Sequence, residues 1–469
     1  MSSVVVVGSG PNGLACAATL ASRGVAVTVL EAEDRIGGGT RTSELTGDGL
    51  RHDECSATHP MAVASPAVVP LELERHGLEW AWPEVDLAHP LDGGRGAAML
   101  RSLEATAAGL GEAGANWRRI FGPPSRGYEA LTEDIYHPLP HLPRHPLRLA
   151  RFGLPAAAPA SLLGRALGTA EAAALFGGVA AHSYARLDRP FSSSIGMALT
   201  CAGHAYGWPA AKGGSAALAE AWAAVIREGG GRIETGRRVR SLGELPPADA
   251  VVFDLSPRGV LEVAGERLPP RTARAYRRYK HGPGAFKLDL AVEGGVPWTY
   301  EPARRAGTVH VAGSFAELAF AEREINRGRM PERPFVLVGQ QYLADPQRSQ
   351  GDRHPIWAYA HVPSGYAGDA TEAILDQIER FAPGLRERIL ARSVRSPAEI
   401  EARNANYRGG DILTGANTPL RTLLRPRITP APYWTGAPGL FICSAATPPG
   451  AGAHGINGFN AAEAVLKTL

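Results

Sequence analysis

Residues 3–34, SVVVVGSGPNGLACAATLASRGVAVTVLEAED, contain two valine-rich segments separated by a glycine-rich turn and an apolar helix pattern. The first run of four valines is typical of a parallel strand that is buried on both faces. Gly8 permits a tight turn after that strand, Gly10 lets the backbone approach a pyrophosphate, and Gly13 lets the helix pack closely on the strand. Glu31 follows the second strand, where a carboxylate can accept hydrogen bonds from ribose hydroxyls and repels a 2′-phosphate. The stretch therefore predicts a dinucleotide-binding βαβ unit.

The same glycine spacing occurs at two further places in the chain. Residues 109–114 match it without an apolar strand on either side, and we interpret that match as a structural helix–loop segment. Residues 450–455 match it between a predicted strand, Leu440 to Cys443, and a predicted helix. No second strand follows that helix, so we do not expect an independent NAD(P) domain there. One nucleotide fold and a returning loop–helix instead favour one long cofactor held at both ends.

A further glycine patch lies directly after the second strand. Gly37, Gly38 and Gly39, in EDRIGGGTRTSEL, allow close backbone contact with a ligand beyond the first loop. NAD enzymes have no standard need for such a patch. The sequence therefore favours FAD.

Five segments together resemble the phytoene desaturase-like FAD-dependent oxidoreductases, within the wider amine oxidase and glutathione reductase-type flavoprotein class. These segments are GSGPNG, EAEDRIGGGTRT, GWPAAKGGSAAL (207–218), GPGAFKLDLAVEGGVPW (282–298) and the closing residues 439–469. The resemblance implies an α/β fold, with a Rossmann-type FAD-binding domain and an inserted α+β substrate domain. The FAD-binding domain would comprise residues 1–69, 206–284 and 411–469, and the substrate domain residues 70–205 and 285–410.

The resemblance also implies which residues contact a non-covalently bound FAD, since no cysteine attachment motif is present. They are Gly8, Gly10, Pro11, Asn12, Gly13, Glu31, Ala32, Gly38, Gly39, Thr40, Arg41, Val239, Ser444, His454, Gly455 and Ile456. In such proteins the C-terminal loop–helix lies beside the flavin ring, where the helix dipole stabilises negative charge at N1 and C2=O. Backbone at Val239 would contact the adenine. His454 departs from the small residue or proline common at this place in carotenoid desaturases, which argues against a carotenoid substrate.

Two residues are candidates for a catalytic role. Lys287 interrupts the alternating strand pattern AFKLDLAV, and in amine oxidase-class flavoproteins a strand lysine often reaches a water near flavin N5. A lysine that extends from a strand edge to solvent is the alternative. His59, in RHDECSATHP (51–60), lies in a segment that resembles the one entering the flavin cavity. A pKa near neutrality makes it a candidate general base, and a structural histidine is the alternative.

Composition and charge exclude several classes of protein. The 469 residues carry a formal net charge of +3, which is too balanced to indicate a nucleic-acid partner. Four widely spaced cysteines and an N-terminus without a basic region favour the cytoplasm. Partners are expected to be a small-molecule substrate and an electron acceptor, oxygen or quinone, with membrane contact at most peripheral.

No metal site is expected. His137, His141 and His145 have the spacing of ligands on a helix, but prolines at 138, 140, 143 and 146 interrupt that helix.

Two function classes remain for this sequence. One is an FAD-dependent dehydrogenase, desaturase or oxidase that takes a hydride from a small or lipophilic substrate to flavin N5. The other uses FAD without net redox change, as an isomerase or a binding protein.

Overall fold

The computed structural model describes residues 2–138 and 141–469, so Pro140 of the histidine–proline segment lies outside the described residues. The strands are β1 (Ser3–Val7), β2 (Ala26–Leu30), β3 (Thr42–Glu44), β4 (Arg51–Asp53), β5 (Trp80–Ala81), β6 (Val85–Pro90), β7 (Gly96–Met99), β8 (Ala210–Ala211), β9 (Arg232–Glu234), β10 (Ala250–Phe253), β11 (Gly284–Glu293), β12 (Ala306–Val311), β13 (Val336–Gly339), β14 (Arg353–Val362), β15 (Ile389–Arg395) and β16 (Leu440–Ile442). The helices are α1 (Pro11–Ala21), α2 (Leu103–Gly109), α3 (Gly114–Arg126), α4 (Tyr128–Ile135), α5 (Pro146–Ala157), α6 (Ala160–Leu167), α7 (Ala170–Ala181), α8 (Ser194–Tyr206), α9 (Ala216–Glu228), α10 (Pro257–Ala264), α11 (Pro270–Arg277), α12 (Phe315–Ile325), α13 (Thr371–Glu379), α14 (Leu385–Arg388), α15 (Pro397–Arg403), α16 (Pro419–Leu423) and α17 (Ile456–Leu466).

The valine-rich strand β1 is the centre of a five-stranded parallel sheet with the order β16-β10-β1-β2-β9. Val4 to Val7 are all buried, as expected for a parallel strand that is covered on both faces. Every strand of this sheet comes from residues 1–69, 206–284 or 411–469. The predicted α/β class with a Rossmann-type unit is confirmed.

The first and last helices of the chain pack against each other. A Cβ added at Gly458 of α17 would lie 2.0 Å from the carbonyl oxygen of Asn12 in α1, so only a glycine fits at this contact. Gly455, which precedes α17, has a φ of 69° and would place a Cβ 2.7 Å from that of Ala15. The closing helix therefore completes the layer that covers the parallel sheet.

A second, seven-stranded sheet has the order β15-β11-β14-β13-β12-β6-β7. Its strands are antiparallel except for β6 and β12, which are parallel. Residues 284–292 of β11 and 355–362 of β14 are buried throughout, because helices and loops cover both faces of the sheet. This sheet forms the predicted inserted α+β part.

The clustered prolines of residues 137–157 predict a loop-rich excursion, and the structure differs from that prediction. Residues 146–157 form α5, with Pro146 in its first turn, where the missing amide hydrogen costs nothing. The buried carboxylate of Asp134 accepts hydrogen bonds from the backbone amides of Arg144 and His145, at 2.7 and 3.0 Å, and so fixes the start of the helix.

The second occurrence of the glycine spacing, at residues 109–114, forms the connection between α2 and α3, which agrees with the helix–loop role predicted for it.

Within the described ranges, no helix has both the length and the apolar character needed to cross a membrane.

Candidate functional site

A cavity of about 390 Å³ extends from the glycine-rich loop after β1 to the inserted sheet. Its wall includes residues 10–12, 55–62, 406–407 and 449–454, together with Tyr136, Phe152, Trp208, Trp357 and Tyr359. The first, the middle and the last segments of the chain thus meet around one space. The part formed by residues 135–199 and 308–359 is mostly apolar and aromatic, with His182, Ser194, Thr308 and Gln341 as its polar members.

The glycines of the two N-terminal patches bring two backbone segments together at one end of this cavity. A Cβ at Gly10 would lie 2.5 Å from an oxygen of the Asp254 carboxylate. A Cβ at Gly38 would lie 3.0 Å from the Cα of Gly10, and one at Gly39 would lie 2.2 Å from the hydroxyl of Tyr407. These contacts explain why both patches are glycine: a side chain at any of the three positions would collide with a neighbouring segment of the protein, so only glycine lets the two segments pack this closely.

Glu31 lies at the end of β2 and is almost fully buried. One carboxylate oxygen accepts hydrogen bonds from the amide and the hydroxyl of Ser9, at 2.9 and 2.5 Å, and the other accepts one from the amide of Glu33 at 2.9 Å. Arg41 lies 3.5 Å from the second oxygen and donates to the carbonyl oxygen of Arg35 at 2.7 Å. Glu31 therefore holds the loop in place in addition to the ribose contact predicted for it.

Three other predicted contacts lie around this end of the parallel sheet. The hydroxyl of Thr40 donates to the carbonyl oxygen of Gly37 at 2.8 Å, so this side chain stabilises its own turn. Ala32 is exposed beside Glu31, and Val239 packs partly buried against the apolar cluster beneath β1 and β2. Their contacts with a cofactor stay predictions.

The C-terminal loop contributes polar atoms that find no partner within the described chain. The amide of Ile456 donates to Nδ1 of His454 at 3.1 Å, so the neutral ring carries its hydrogen on Nε2. Burial lowers the pKa of His454 to about 4, which keeps this ring neutral. The buried Nε2 of His454, Oγ of Ser444 and Oδ1 of Asn12 have no hydrogen-bond partner among the described residues, and all three residues line the cavity. Such groups are costly to bury unless a ligand or water satisfies them.

Asp254, at the end of β10, was not singled out by the sequence analysis. Its carboxylate accepts a hydrogen bond from the amide of Gly13 at 3.0 Å and lines the cavity beside Gly10. Burial raises the pKa of Asp254 to about 7, the Gly13 amide opposes that shift, and the charge of Glu31 adds to it. A titratable acid therefore occupies the N-terminus of α1, where a Rossmann-type unit binds phosphate.

Lys287 is buried on β11 and does not extend to solvent, so the surface alternative is wrong. Its ammonium contacts Oδ1 of Asp289, two residues along the same strand face, and lies 5.5 Å from the centre of the Trp357 ring. Burial lowers the pKa of Lys287, and the Asp289 carboxylate opposes this shift. His52 continues the cluster, with Nδ1 3.4 Å from Asp289 and Nε2 2.7 Å from the hydroxyl of Thr46.

Lys287 lines a small compartment of about 40 Å³ that adjoins the main cavity. The two spaces share wall residues, among them Gly39, Cys55, Tyr359 and Tyr407. The lysine therefore lies at the edge of the space that the glycine patches open.

His59 lines the main cavity, but it does not have the pKa that its predicted role assumed. Burial lowers the pKa of His59 to about 4, although the nearby Asp53 carboxylate raises it in part. The hydroxyl of Ser215 donates to the carbonyl oxygen of Ser56 at 2.7 Å, so Nε2 of His59, 2.9 Å from that hydroxyl, must be the donor. His59 is thus a neutral ring anchored to α9, with Nδ1 as its acceptor and little basicity at neutral pH.

Comparison with known proteins agrees with this architecture. Residues 6–68 match the model of an NAD(P)-binding Rossmann-like domain. Over 100 residues the chain is 35% identical to pyridine nucleotide-disulfide oxidoreductase domain-containing protein 2 of Mus musculus, a match that covers 21% of this chain and 17% of the mouse protein. An oxidoreductase from Methanosarcina mazei is similar over 99% of this chain and 100% of its own, with a TM-score of 0.64 and 15% identity. Putrescine oxidase bound to putrescine is similar over 99% of both chains, with a TM-score of 0.62 and 17% identity.

The chain shares the fold of the Methanosarcina mazei oxidoreductase and of putrescine oxidase. At these identities the shared property is the fold itself, and the reaction has to be inferred from the side chains around the cavity. In this fold the structure brings together the glycine patches, residues 55–60, the C-terminal loop and, at the edge of the space, Lys287. The sequence analysis did not identify Asp254 or Asp289. The alternating pattern AFKLDLAV contained a signal for Asp289, because residues two apart share a strand face and Asp289 is two residues from Lys287.

Proposed function

We propose that this protein is an oxidoreductase that binds FAD non-covalently and oxidises a lipophilic, uncharged organic substrate, with oxygen or quinone as the final electron acceptor. FAD, when bound, supplies the hydride-accepting chemistry at N5 of its ring. The observation that carries the proposal is a single cavity that joins the dinucleotide-binding loop to an apolar, aromatic chamber. Such a space fits a long cofactor with a substrate beside it.

The residues present fit FAD at both ends of this cavity. Gly10 lines the main cavity and Gly38 the adjoining compartment, where backbone can contact a diphosphate, and Glu31 lies where ribose hydroxyls are bound in Rossmann-type units. His454, Ser444 and Asn12 offer one donor, one hydroxyl and one acceptor that lack partners in the described chain. A dinucleotide without a flavin would leave the atoms of the C-terminal loop unsatisfied.

The chain's own groups would assist the transfer of charge. The N-terminus of α17, preceded by His454 and Gly455, presents backbone amides and a partial positive charge toward the C-terminal loop, where they stabilise an anion. Lys287 holds a positive charge or exchanges a proton at Nζ, and Asp289 favours its ammonium form. The aromatic wall excludes water from the same space.

The charges in the cavity support the choice of an uncharged substrate. Among the described residues that line the main cavity, only Asp254 and Arg425 carry a formal charge, and Asp254 lies at the glycine-rich loop. His182 and His59 are neutral there, because burial lowers their pKa values to about 3 and about 4. Putrescine, bound by a protein of the same fold, is a diamine, and its ammonium groups would find no carboxylate in the apolar chamber.

Anaerobic addition of substrates to the FAD-loaded protein tests this proposal. We expect lipophilic alcohols or alkenes to include a compound that bleaches the flavin absorbance, and putrescine to leave it unchanged. Bleaching by putrescine would contradict the substrate class. Turnover without bleaching would support the alternative in which FAD has no net redox role, and failure to bind FAD would contradict the proposal altogether.

A further inference from the structure

The segment between Asp134 and Glu171 exposes large apolar side chains. Leu142, Leu147 and Leu154 are 93%, 76% and 77% exposed, which makes them the most exposed large hydrophobic residues of the described chain. Leu162, at 57%, lies on the neighbouring helix α6. A soluble surface rarely carries such residues in one segment unless they contact a partner.

Helix α5 has two different apolar faces. Leu147 and Leu154 are seven residues apart, two helical turns, so they lie on one outer face with Arg151 between them. Phe152 and Ala156 are buried on the opposite face, and Phe152 lines the main cavity. A helix is about 10–12 Å across, so this single element separates the cavity from the surface that carries the leucines.

The charge of the segment has one sign. Residues 135–170 contain four arginines, at 144, 148, 151 and 165, and no aspartate or glutamate. Arg144 is paired with Glu133 at 3.1 Å, whereas the guanidinium of Arg148 contacts only a backbone carbonyl, that of Gly127 at 3.4 Å. Leucines flanked by exposed arginines on one helix face are the pattern of an interfacial helix on anionic lipid.

We propose that α5, with Leu142 and Leu162, docks this protein on the surface of an anionic lipid bilayer. The wall of the cavity then lies against the membrane, and, if the proposed function holds, a lipophilic substrate reaches the cavity from the bilayer. A second copy of the chain fits this face less well, because a symmetric contact would bring arginines against arginines with no acid in the segment to pair them.

Co-sedimentation of the FAD-loaded protein with vesicles tests the proposal. We expect binding to phosphatidylcholine vesicles that contain phosphatidylglycerol, and weaker binding when that lipid is left out or salt is added. The double variant Leu147→Ser, Leu154→Ser should lower the partition coefficient at least about tenfold, since each leucine withdraws apolar surface from water. Arg148→Gln with Arg151→Gln should reduce only the preference for the anionic vesicles. Leu390→Ser, at a leucine that is 51% exposed on β15, is the matched control and should bind as wild type does.

Several results would overturn the inference. Wild-type protein that stays in the supernatant with anionic vesicles is one, and undiminished binding by the leucine variant is another. If the wild-type protein is a dimer and the leucine variant is a monomer, this face is a contact with a second copy of the chain. If the wild-type protein binds a defined protein partner that the leucine variant does not bind, this face is the contact with that partner. Vesicle binding needs no turnover, so membrane docking without flavin bleaching would contradict the proposed function and leave this inference standing.

Discussion

The ion pair of Lys287 and Asp289 has a structural and a chemical consequence. Both residues are buried at the centre of β11, and Lys287 also lines the compartment beside the main cavity. Removal of one partner of a buried pair leaves an uncompensated charge and costs about 3–5 kcal/mol. A substitution at Lys287 alone therefore confounds stability with any role in the reaction.

Two variants separate these effects. Lys287→Met should lower the free energy of unfolding, because Asp289 remains charged in the sheet, and Lys287→Met with Asp289→Asn should recover most of that loss. Both should retain FAD and slow flavin reduction or reoxidation by about 10²–10⁴-fold, the range for acid–base or electrostatic assistance. Stopped-flow measurement of flavin reduction and of flavin reoxidation, each by itself, shows which of the two steps Lys287 assists. Wild-type rates in the double variant would make Lys287 a packing residue.

Asp254 should make FAD binding depend on pH. Its pKa of about 7 means that the carboxylate is charged above neutrality, beside the loop that would hold the diphosphate. A nearby anion raises the pKa of a carboxyl group, so above pH 7 the binding of FAD is accompanied by uptake of a proton at Asp254. The affinity for FAD should therefore fall by up to about tenfold for each pH unit above 7. Below pH 7 the group is already protonated and the affinity should level off.

Asp254→Asn checks this expectation through the dissociation constant of FAD, measured by fluorescence quenching from acid to alkaline pH. The variant should bind FAD more tightly than wild type at alkaline pH and with little pH dependence. A wild-type affinity that is flat across neutrality would show that Asp254 does not sense the cofactor. Glu33→Gln, at a partly buried acid whose side chain has no hydrogen bond in the described chain, serves as the control.

At the scale of elements, the contact between α1 and α17 should decide whether the cofactor site forms. Gly458→Ala would place a methyl group 2.0 Å from the Asn12 carbonyl oxygen, so α17 has to move away from α1 and take the C-terminal loop with it. We expect weaker FAD retention and a lower melting temperature. Gly109→Ala, in α2, meets no atom within 4 Å and should be neutral. Equal FAD retention by both variants would show that the helix contact is not required.

The elements also show where sequence patterns succeed. The strand, glycines and acid of residues 3–34 act on their immediate neighbours, so their pattern predicts the bounds of β1, α1 and β2 within three residues. Proline clustering failed at α5, because the tertiary clamp of Asp134 on the amides of Arg144 and His145 is not visible in the local sequence. Asp254 was missed for a related reason, since its contact with Gly13 spans 241 residues.

At the scale of the molecule, a buried network joins Arg348 to β4, β8 and the residue before α9. Arg348, from the inserted part, lies 2.6 Å from Asp53 at the end of β4 and 3.2 Å from Asp345, and it donates to the carbonyl oxygen of Ala211 at 2.7 Å. The second oxygen of Asp53 accepts the amide of Ser215, the residue that anchors His59 in the cavity wall. No pattern in the sequence connects these positions, since they are brought together only by the complete fold.

Arg348→Met should therefore affect both stability and the cofactor site. The substitution leaves Asp53 and Asp345 buried without their cation, which should lower the free energy of unfolding by about 3–5 kcal/mol in denaturant titrations. Because Arg348 then no longer orients the Asp53 carboxylate that accepts the Ser215 amide, the wall that carries His59 should loosen, and FAD affinity should fall as well. Arg75→Met, at an exposed arginine paired only with Glu72, should change neither quantity. An unfolding midpoint equal to that of the Arg75 variant would show that the network is dispensable. Lower stability with unchanged FAD affinity would confine its role to holding β4, β8 and the start of α9 against the segment of Arg348.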